Sequence, residues 1–491
     1  MQGSTVVAMI VVICCLLLCN VALGQTNTDI IVVAGDGSGD FNCDGSNDHV
    51  EINAALQHVA KTPELTTVYL KGPFTYEIRD TILLPSNTIL TGDKTAVIKL
   101  GSNINWLTYK PMIANQNYLS GHYLTGDHDI EVYGFEINGN REGNPKINSG
   151  QNYHNMFVFK FCRNISVHDM YLHNNHNDAV VFQSSDNLKY YNNTINRIGH
   201  DGLYAYKSTN VEVYNNRITN RINCSFRIYN TNHASVHDNV IDSYNEGGAG
   251  IQIEKESEAY PMDDVEIYNN VIYRTSRAGI WVYGMGNPYP KQQVANLHIH
   301  HNKIYDAGIH GSSDWVGGIV INGFWDALIE NNVIDGCYGA AIAHKWVSTW
   351  KPYGSGYTTI VRNNIITNTR PHVSAGRGVG IMNAMSDTHT FILEYNCLYN
   401  NPGGNYINAS STTDIYADPL FVDRAKQDYH LKSTGGRWDG SAWVIDDVHS
   451  PCIDAGHPSS DYSLEPSPNG GRVNIGLYGN TAEASKASPV N

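Results

Sequence analysis

The 491-residue chain is poor in charge: Asp, Glu, Lys and Arg make up 16% of it, with 32 basic residues against 47 acidic ones. No run of Lys or Arg occurs anywhere, which argues against nucleic acid as a partner. The nine cysteines contain no C-x-x-C spacing, so zinc and dithiol redox motifs have no support. Beyond the first two dozen residues no apolar run is long enough to span a bilayer. What abounds is Tyr, with 31 residues, together with Gly and Asn. That mixture suits strands, tight turns and sugar stacking better than helix bundles.

Residues 1–24 read as an export signal, with an apolar run from Val6 to Leu18 and small residues at Ala22 and Gly24 ahead of Gln25. The segment before that run lacks Lys and Arg, so an uncleaved membrane anchor is the competing reading. Either way the chain is expected outside the cell, secreted or at the cell surface, with no transmembrane partner implied. Cys14, Cys15 and Cys19 leave with the signal. Cys43, Cys162, Cys224, Cys337, Cys397 and Cys452 remain, which leaves one or two disulfides open. Asn164, Asn192, Asn223 and Asn408 stand in glycosylation sequons.

One phrase recurs through half the chain: 211-VEVYNNRI-218, 234-ASVHDNVI-241, 265-VEIYNNVI-272, 297-LHIHHNKI-304, 327-ALIENNVI-334, 359-TIVRNNII-366. Its second Asn falls at Asn193, Asn216, Asn239, Asn270, Asn302, Asn332, Asn364 and Asn396, with spacings of 23, 23, 31, 32, 30, 32 and 32. Such a period signals stacked supersecondary units. Apolar residues alternate within each unit, as in strands, and a second short strand precedes each phrase, as in 201-DGLYAY-206 and 249-AGIQIE-254. No coil buries its apolar face alone; stacking on neighbours about 4.8 Å away completes both core and hydrogen bonds. The fold expected is all-β, a right-handed single-stranded parallel β-helix in which the repeated Asn forms an inward ladder at a bend. Residues 48–60 form an amphipathic capping helix, apolar at Val50, Ile52, Ala55, Leu56 and Val59. The expected organisation is signal 1–24, N-terminal cap 25–65, β-helix 66–401 and an irregular C-terminal tail 402–491.

Scaffold positions repeat, whereas functional positions should break the pattern on one face. In the strand before each phrase, outward positions run Val181, Tyr204, Arg227, Gln252, Trp281, Val320 and Gln183, Tyr206, Tyr229, Glu254, Tyr283, Asn322. Aromatic faces beside polar groups suit a long sugar chain, which makes Tyr204, Tyr206, Tyr229, Gln252, Lys255, Trp281 and Tyr283 the candidate substrate-binding residues. The alternative is a solvated strand surface. Asp178, His200 and Asp201 lie at the preceding corner, with Asp178 and Asp201 about one strand spacing apart. Like charges that close raise one pKa, which provides an acid beside a base; otherwise both simply accept turn N–H groups. Arg227 and Glu254 lie roughly 8 Å apart between Cα atoms and are placed either to bind a substrate carboxylate or to pair with each other. Asp201 and Glu254, two coils and five residues apart, are expected about 19 Å from one another, too far for one acid–base pair. The catalytic candidates are therefore Asp178, His200, Asp201, Arg227 and Glu254.

No metal ligand set is assigned and no cofactor is required. Residues 40-DFNCDGSNDHVE-51 do match the EF-hand expression, which leaves calcium open there, although Asn47 stands where an apolar residue is usual. A late cluster, 344-HKW-346 with Trp350 and Lys351, extends the groove or covers a long loop.

The segment 35-GDGSGDFNCDGSNDHVEINAAL-56, the YNN coils and the block 436-GRWDGSAWVIDDVHSPCIDAGHPSSDYSLEPSPNGGRVNIGLYGNT-481 resemble secreted pectate-lyase-like β-helix proteins. More narrowly, they resemble the disaggregatase proteins of methanogenic archaea. That resemblance implies depolymerisation of an anionic, chondroitin-like matrix around cells, and it carries over no site residues. The reading is a polysaccharide depolymerase, hydrolytic with Asp178 and Asp201 as acid and base or nucleophile. Two alternatives stand beside it: a lyase eliminating at uronates, and a non-catalytic carbohydrate-binding surface protein.

Overall fold

The structure is a computed structural model that describes residues 30–488, apart from 123–124, 146–150, 220–221, 256–259, 285–293, 312–314, 324–325, 346–355 and 387–388. The signal segment lies outside the described residues, as do Trp346, Trp350 and Lys351. Three long sheets, of 14, 12 and 12 strands, run the length of the molecule, and each strand pairs in parallel with its counterpart one coil away. The register follows the repeat: Val211 lies opposite Ala234 and Val213 opposite Val236, then Ala234 opposite Val265 and Val236 opposite Ile267. This is a three-sided parallel β-helix.

Each Asn-Asn doublet makes one of its corners. The first member adopts a left-handed backbone, as at Asn215 (φ 54°) and Asn269 (φ 54°), a conformation Asn tolerates better than branched residues. The second member turns inward and is fully buried. Asn216 Nδ2 donates to Asn239 Oδ1 at 3.1 Å, Asn239 to Asn270 at 3.0 Å and Asn270 to Asn302 at 3.0 Å. Each rung also donates to a backbone carbonyl of the coil below, as Asn239 does to Val213. The ladder runs from Asn193 to Asn396, where Asp414 takes the last N–H groups. Between the corners, Ile, Val, Leu and Phe fill one continuous core, at about 1.5–3 kcal/mol for each large side chain buried.

The helix His49–Lys61 closes the N-terminal end and buries Ile52, Ala55, Leu56 and Val59. Val50 was expected on that face but is exposed, because it sits in the first turn on the side facing away from the core. The first sheet begins before the helix: Ile30–Ala34 pairs with Thr67–Leu70. At the other end Tyr406–Ile407 still pairs with Ile381 and Met382, so coiling continues to 407. The tail beyond packs Tyr429, Leu431, Cys452, Ile453 and Ile475 on Val333, Ile365 and Cys397, the outer face of the second sheet. The six described cysteines are buried, and none is joined to another in a disulfide. No helix among the described residues is long and apolar enough to cross a membrane.

Candidate active site

The outward columns of the third sheet carry the candidate residues, and they align as the repeat arithmetic requires. Val181 pairs with Tyr204, Tyr204 with Arg227, Arg227 with Gln252 and Gln252 with Trp281. Over the first coils this face is open. A trough of about 590 Å³ is walled by Tyr109, Tyr153, Tyr204, Tyr206 and Tyr229, with Asp178, His200 and Arg227 at its base. Tyr204, Tyr206 and Tyr229 form one ring cluster, with centroids 4.9 to 6.0 Å apart, and the Arg227 guanidinium sits over Tyr204.

Further along the face is covered. Gln252 is 2%, Lys255 1% and Trp281 5% exposed. Trp281 packs against Trp315 and Tyr283, its indole N–H bonded to Asn322 Oδ1, and Lys255 Nζ donates to the Tyr260 carbonyl. These three do not line the trough, and neither does Tyr283, contrary to the expected continuous strip. Trp315 packs over Trp281, and the Tyr260 backbone meets Lys255.

The corner residues meet. Asp178 Oδ1 lies 2.6 Å from His200 Nδ1 and also accepts the Asp201 N–H at 2.9 Å. Asp201 is completely buried, and its Oδ1 accepts from Asn223 Nδ2 and the Cys224 N–H. Asn223, one of the sequons, also places the same amide 3.1 Å from His200 Nε2, so its nitrogen works inside the site. Arg227 Nε lies 3.4 Å from Asp201 Oδ2 and 3.8 Å from Glu254 Oε2. Two oxygens that near to one nitrogen stand no more than about 7 Å apart, which overturns the expected 19 Å. That estimate ran a straight strand from 201 to 206, whereas the strand begins at Leu203 and Asp201 lies at the corner, and it left out the reach of the Asp and Glu side chains. Gln252 Nε2 donates to Glu254 and its Oε1 accepts from Cys224 Sγ, which closes the network from below.

Burial dominates the electrostatics. It lifts the Asp178 carboxyl above its ordinary range, with the Asp201 charge a smaller contribution and the His200 bond opposing. Burial works against charge on His200, yet the Asp178 hydrogen bond and the Asp201 charge leave its pKa raised. Burial pushes Glu254 up to about 7 against the pull of Arg227. Desolvation also raises the Tyr153 and Tyr204 phenols, which keeps them protonated.

Two groups escaped sequence reading. Val158 and Lys160 occupy the same columns one coil earlier, paired with Val181 and Gln183, and extending the columns backwards would have found them. Tyr109 and Tyr153 lie outside regular strands, so no periodic signal marks them. In the EF-hand-like segment the side-chain oxygens already serve the chain: Asp40 accepts from Val32, Asn42 from Gly39, Asp44 from Ser46 and Asp48 from Gly45 and Glu77. His344 turns into the core beside His389 rather than toward the trough.

A parallel β-helix with an aromatic trough across one sheet is therefore the class the geometry defines. Within it, residues 262–456 match the family model described as "Disaggregatase related", and residues 155–315 match that of the right-handed β-helix region. The resemblance read from the sequence, and the hand of the helix, are thus borne out. A search of curated proteins finds no match. Among solved structures, the A-module of Azotobacter vinelandii mannuronan C-5 epimerase AlgE4 is similar at 17% identity and a TM-score of 0.51, covering 79% of this chain and 97% of that one. The AlgE6 A-module of the same organism is similar at 16% identity and a TM-score of 0.51, covering 76% and 96%. The catalytic domain of a GH87 α-1,3-glucanase is similar at 14% identity and a TM-score of 0.50, covering 75% and 66%. At these identities the likeness is one of fold.

Proposed function

We propose that this chain is an extracellular polysaccharide depolymerase that cleaves an anionic, uronate-containing, chondroitin-like polymer in the Tyr-walled trough, by β-elimination. The observation that carries the reading is the trough floor: an Asp178–His200 dyad beside an arginine supported from beneath by two carboxylates. Arg227 pairs with the uronate carboxylate and so acidifies the adjacent C5–H. His200, its tautomer set by the Nδ1–H bond to Asp178, takes the C5 proton on Nε2 in place of the Asn223 contact. Tyr153, protonated and within ring contact of His200, gives its proton to O4 as the C4–O4 bond breaks and the C4–C5 double bond forms. Asp201 and Glu254 act as positioning residues for Arg227. Tyr204, Tyr206 and Tyr229 supply faces for sugar rings, and Lys160 adds positive charge at the rim.

Hydrolysis is the second reading, favoured by two observations. Glu254 with a pKa of about 7 suits a general acid, and its carboxylate stands no more than about 7 Å from that of Asp201, within reach of a paired-carboxyl mechanism. Against it, Asp201 is 0% and Glu254 7% exposed, so Arg227 must swing away before a sugar can reach both. Digesting chondroitin with the purified chain separates the cases. Ultraviolet absorbance from an unsaturated uronate supports elimination; new reducing ends without it support hydrolysis. Retention of polymer at constant viscosity points to a non-catalytic binding protein and sinks both.

A further inference from the structure

On the first sheet, a different face from the trough, two imidazoles and a carboxylate converge: Glu266 from Met262–Tyr268, and His298 and His300 from Val294–His300. Glu266 Oε1 stands 3.0 Å from His300 Nε2 and 3.8 Å from His298 Nδ1. The protons on these rings follow from their other contacts. The Gly479 carbonyl only accepts, so His301, 2.8 Å from it, carries its hydrogen on Nε2 and offers a lone pair on Nδ1. His300 Nδ1 lies 2.7 Å from that lone pair and must donate to it, which leaves His300 Nε2 bare and aimed at the Glu266 carboxylate. His298 Nε2 faces Glu330 at 3.0 Å, and Glu330 already accepts from Arg362 at 2.7 Å, so the His298 hydrogen is on Nε2 and its Nδ1 is bare as well.

Two bare imidazole nitrogens and a carboxylate oxygen thus gather within 4.8 Å of one another with no hydrogen between them. A single proton would satisfy one N–O pair and leave the other nitrogen out. A metal ion takes all three donors. We infer that Glu266, His298 and His300 bind a divalent transition-metal ion of the Zn²⁺ class. Nitrogen and carboxylate donors select such an ion over Ca²⁺ or Mg²⁺, which prefer all-oxygen shells. The surroundings are those of a metal-binding histidine: each ring gives its second N–H to a fixed acceptor, Glu330 for His298 and the His301–Gly479 relay for His300. Tetrahedral zinc sites bond at about 2.0–2.2 Å to such donors; the three atoms lie within 4.8 Å of one another, and the side chains must draw in to close on one ion. The cluster is open to solvent on one side, where the Glu266 side chain is 47% exposed. The bound ion would join two coils, and through His301 it would couple to the tail turn at Gly479.

The test is titration of the untagged full chain, stripped by chelation, with Zn²⁺ by calorimetry and with Co²⁺ by visible absorption. Expected are one equivalent bound, intense tetrahedral Co²⁺ bands, and a metal-dependent rise in melting temperature. Glu330→Gln, which leaves all three donors in place, should weaken binding roughly 10–100-fold. Glu266→Gln and the pair His298→Ala/His300→Ala should remove the tetrahedral bands, while the metal-free melting temperatures report whether each variant folds. Glu254→Gln, in the trough, should bind as the parent does. Absence of stoichiometric binding to the parent chain, or a Co²⁺ spectrum unchanged by the double His substitution, overturns the site.

Discussion

Arg227 shows what a single side chain does to this site. It lies across two coils, and its Nε draws Asp201 and Glu254 into one cluster that their backbone positions would keep apart. Arg227→Lys keeps the charge between those carboxylates but loses the planar fork that a uronate carboxylate matches. Catalytic efficiency on polymer should fall on the order of 10²-fold, with the melting temperature little changed; an unaltered rate would detach Arg227 from substrate. His200 gives a pH prediction. A base must be neutral, and its pKa is raised by the Asp178 bond and the Asp201 charge over the opposing effect of burial. Activity should therefore rise with pH and reach half its plateau above the ordinary histidine value of about 6.5. Asp178→Asn removes the anion, so the acid limb should move to lower pH, while the lost orientation of His200 cuts the plateau by roughly 10²–10⁴-fold. A pH–rate profile that keeps its midpoint in this variant would remove the dyad from the mechanism.

At the scale of the element, the doublet divides labour: one Asn turns the chain with φ near 54° and the next ties the rungs. Asn270 receives both the backbone and side-chain N–H of Asn239 and donates to Val236, Tyr268 and Asn302, all in a dry corner. Asn270→Ala strands several of these groups, each costing about 1–3 kcal/mol, so chemical denaturation should show a loss of several kcal/mol. In a stacked fold, coupling reaches only neighbours. Asn239→Ala with Asn270→Ala should therefore lose less than the sum of the two, whereas Asn193→Ala with Asn364→Ala should be additive. Because the phrase recurs in coil after coil although the spacing varies from 23 to 32 residues, this part of the architecture was legible in the sequence. The site was legible only in part. The Tyr204, Arg227 and Tyr229 columns followed from register, but nothing periodic says which outward positions stay open. Gln252, Lys255 and Trp281 are buried, with Trp315 packed on Trp281 and Tyr260 against Lys255, contacts the repeat does not encode, and Tyr109 and Tyr153 enter the trough from outside the strands.

For the whole molecule, both ends of the solenoid need closing, and the C-terminal end carries a polar weakness of its own. The tail shields the second sheet through Tyr429, Leu431 and Ile475, and anchors to Asp335, which takes Arg424 at 2.8 Å and the Tyr429 hydroxyl at 3.0 Å. Deleting 418–491 should leave β-rich circular dichroism but a lower melting temperature and self-association, because Val333, Ile365 and Cys397 become an open apolar strip. Inside the last coils, His344 and His389 stack with centroids 3.9 Å apart in the core, each about 1% exposed. Among the described residues the Nδ1 atoms of both lack a hydrogen-bond partner. Burial depresses His344 to about 4, and burial with the His344 charge takes His389 down to about 2. The unfolded chain binds a proton at each below about pH 6.5, while the folded chain refuses it, so stability is complete above that pH and falls as the pH drops toward 4. One such histidine contributes a slope of up to about 1.4 kcal/mol per pH unit. His389→Asn removes one titrating ring and keeps a polar partner for the Thr359 hydroxyl, which His389 Nε2 now meets at 2.8 Å. Urea unfolding at pH 7 and pH 5 should then show a smaller loss between the two pH values for the variant than for the parent; equal losses would mean that water reaches these rings and that the coil end is open to it.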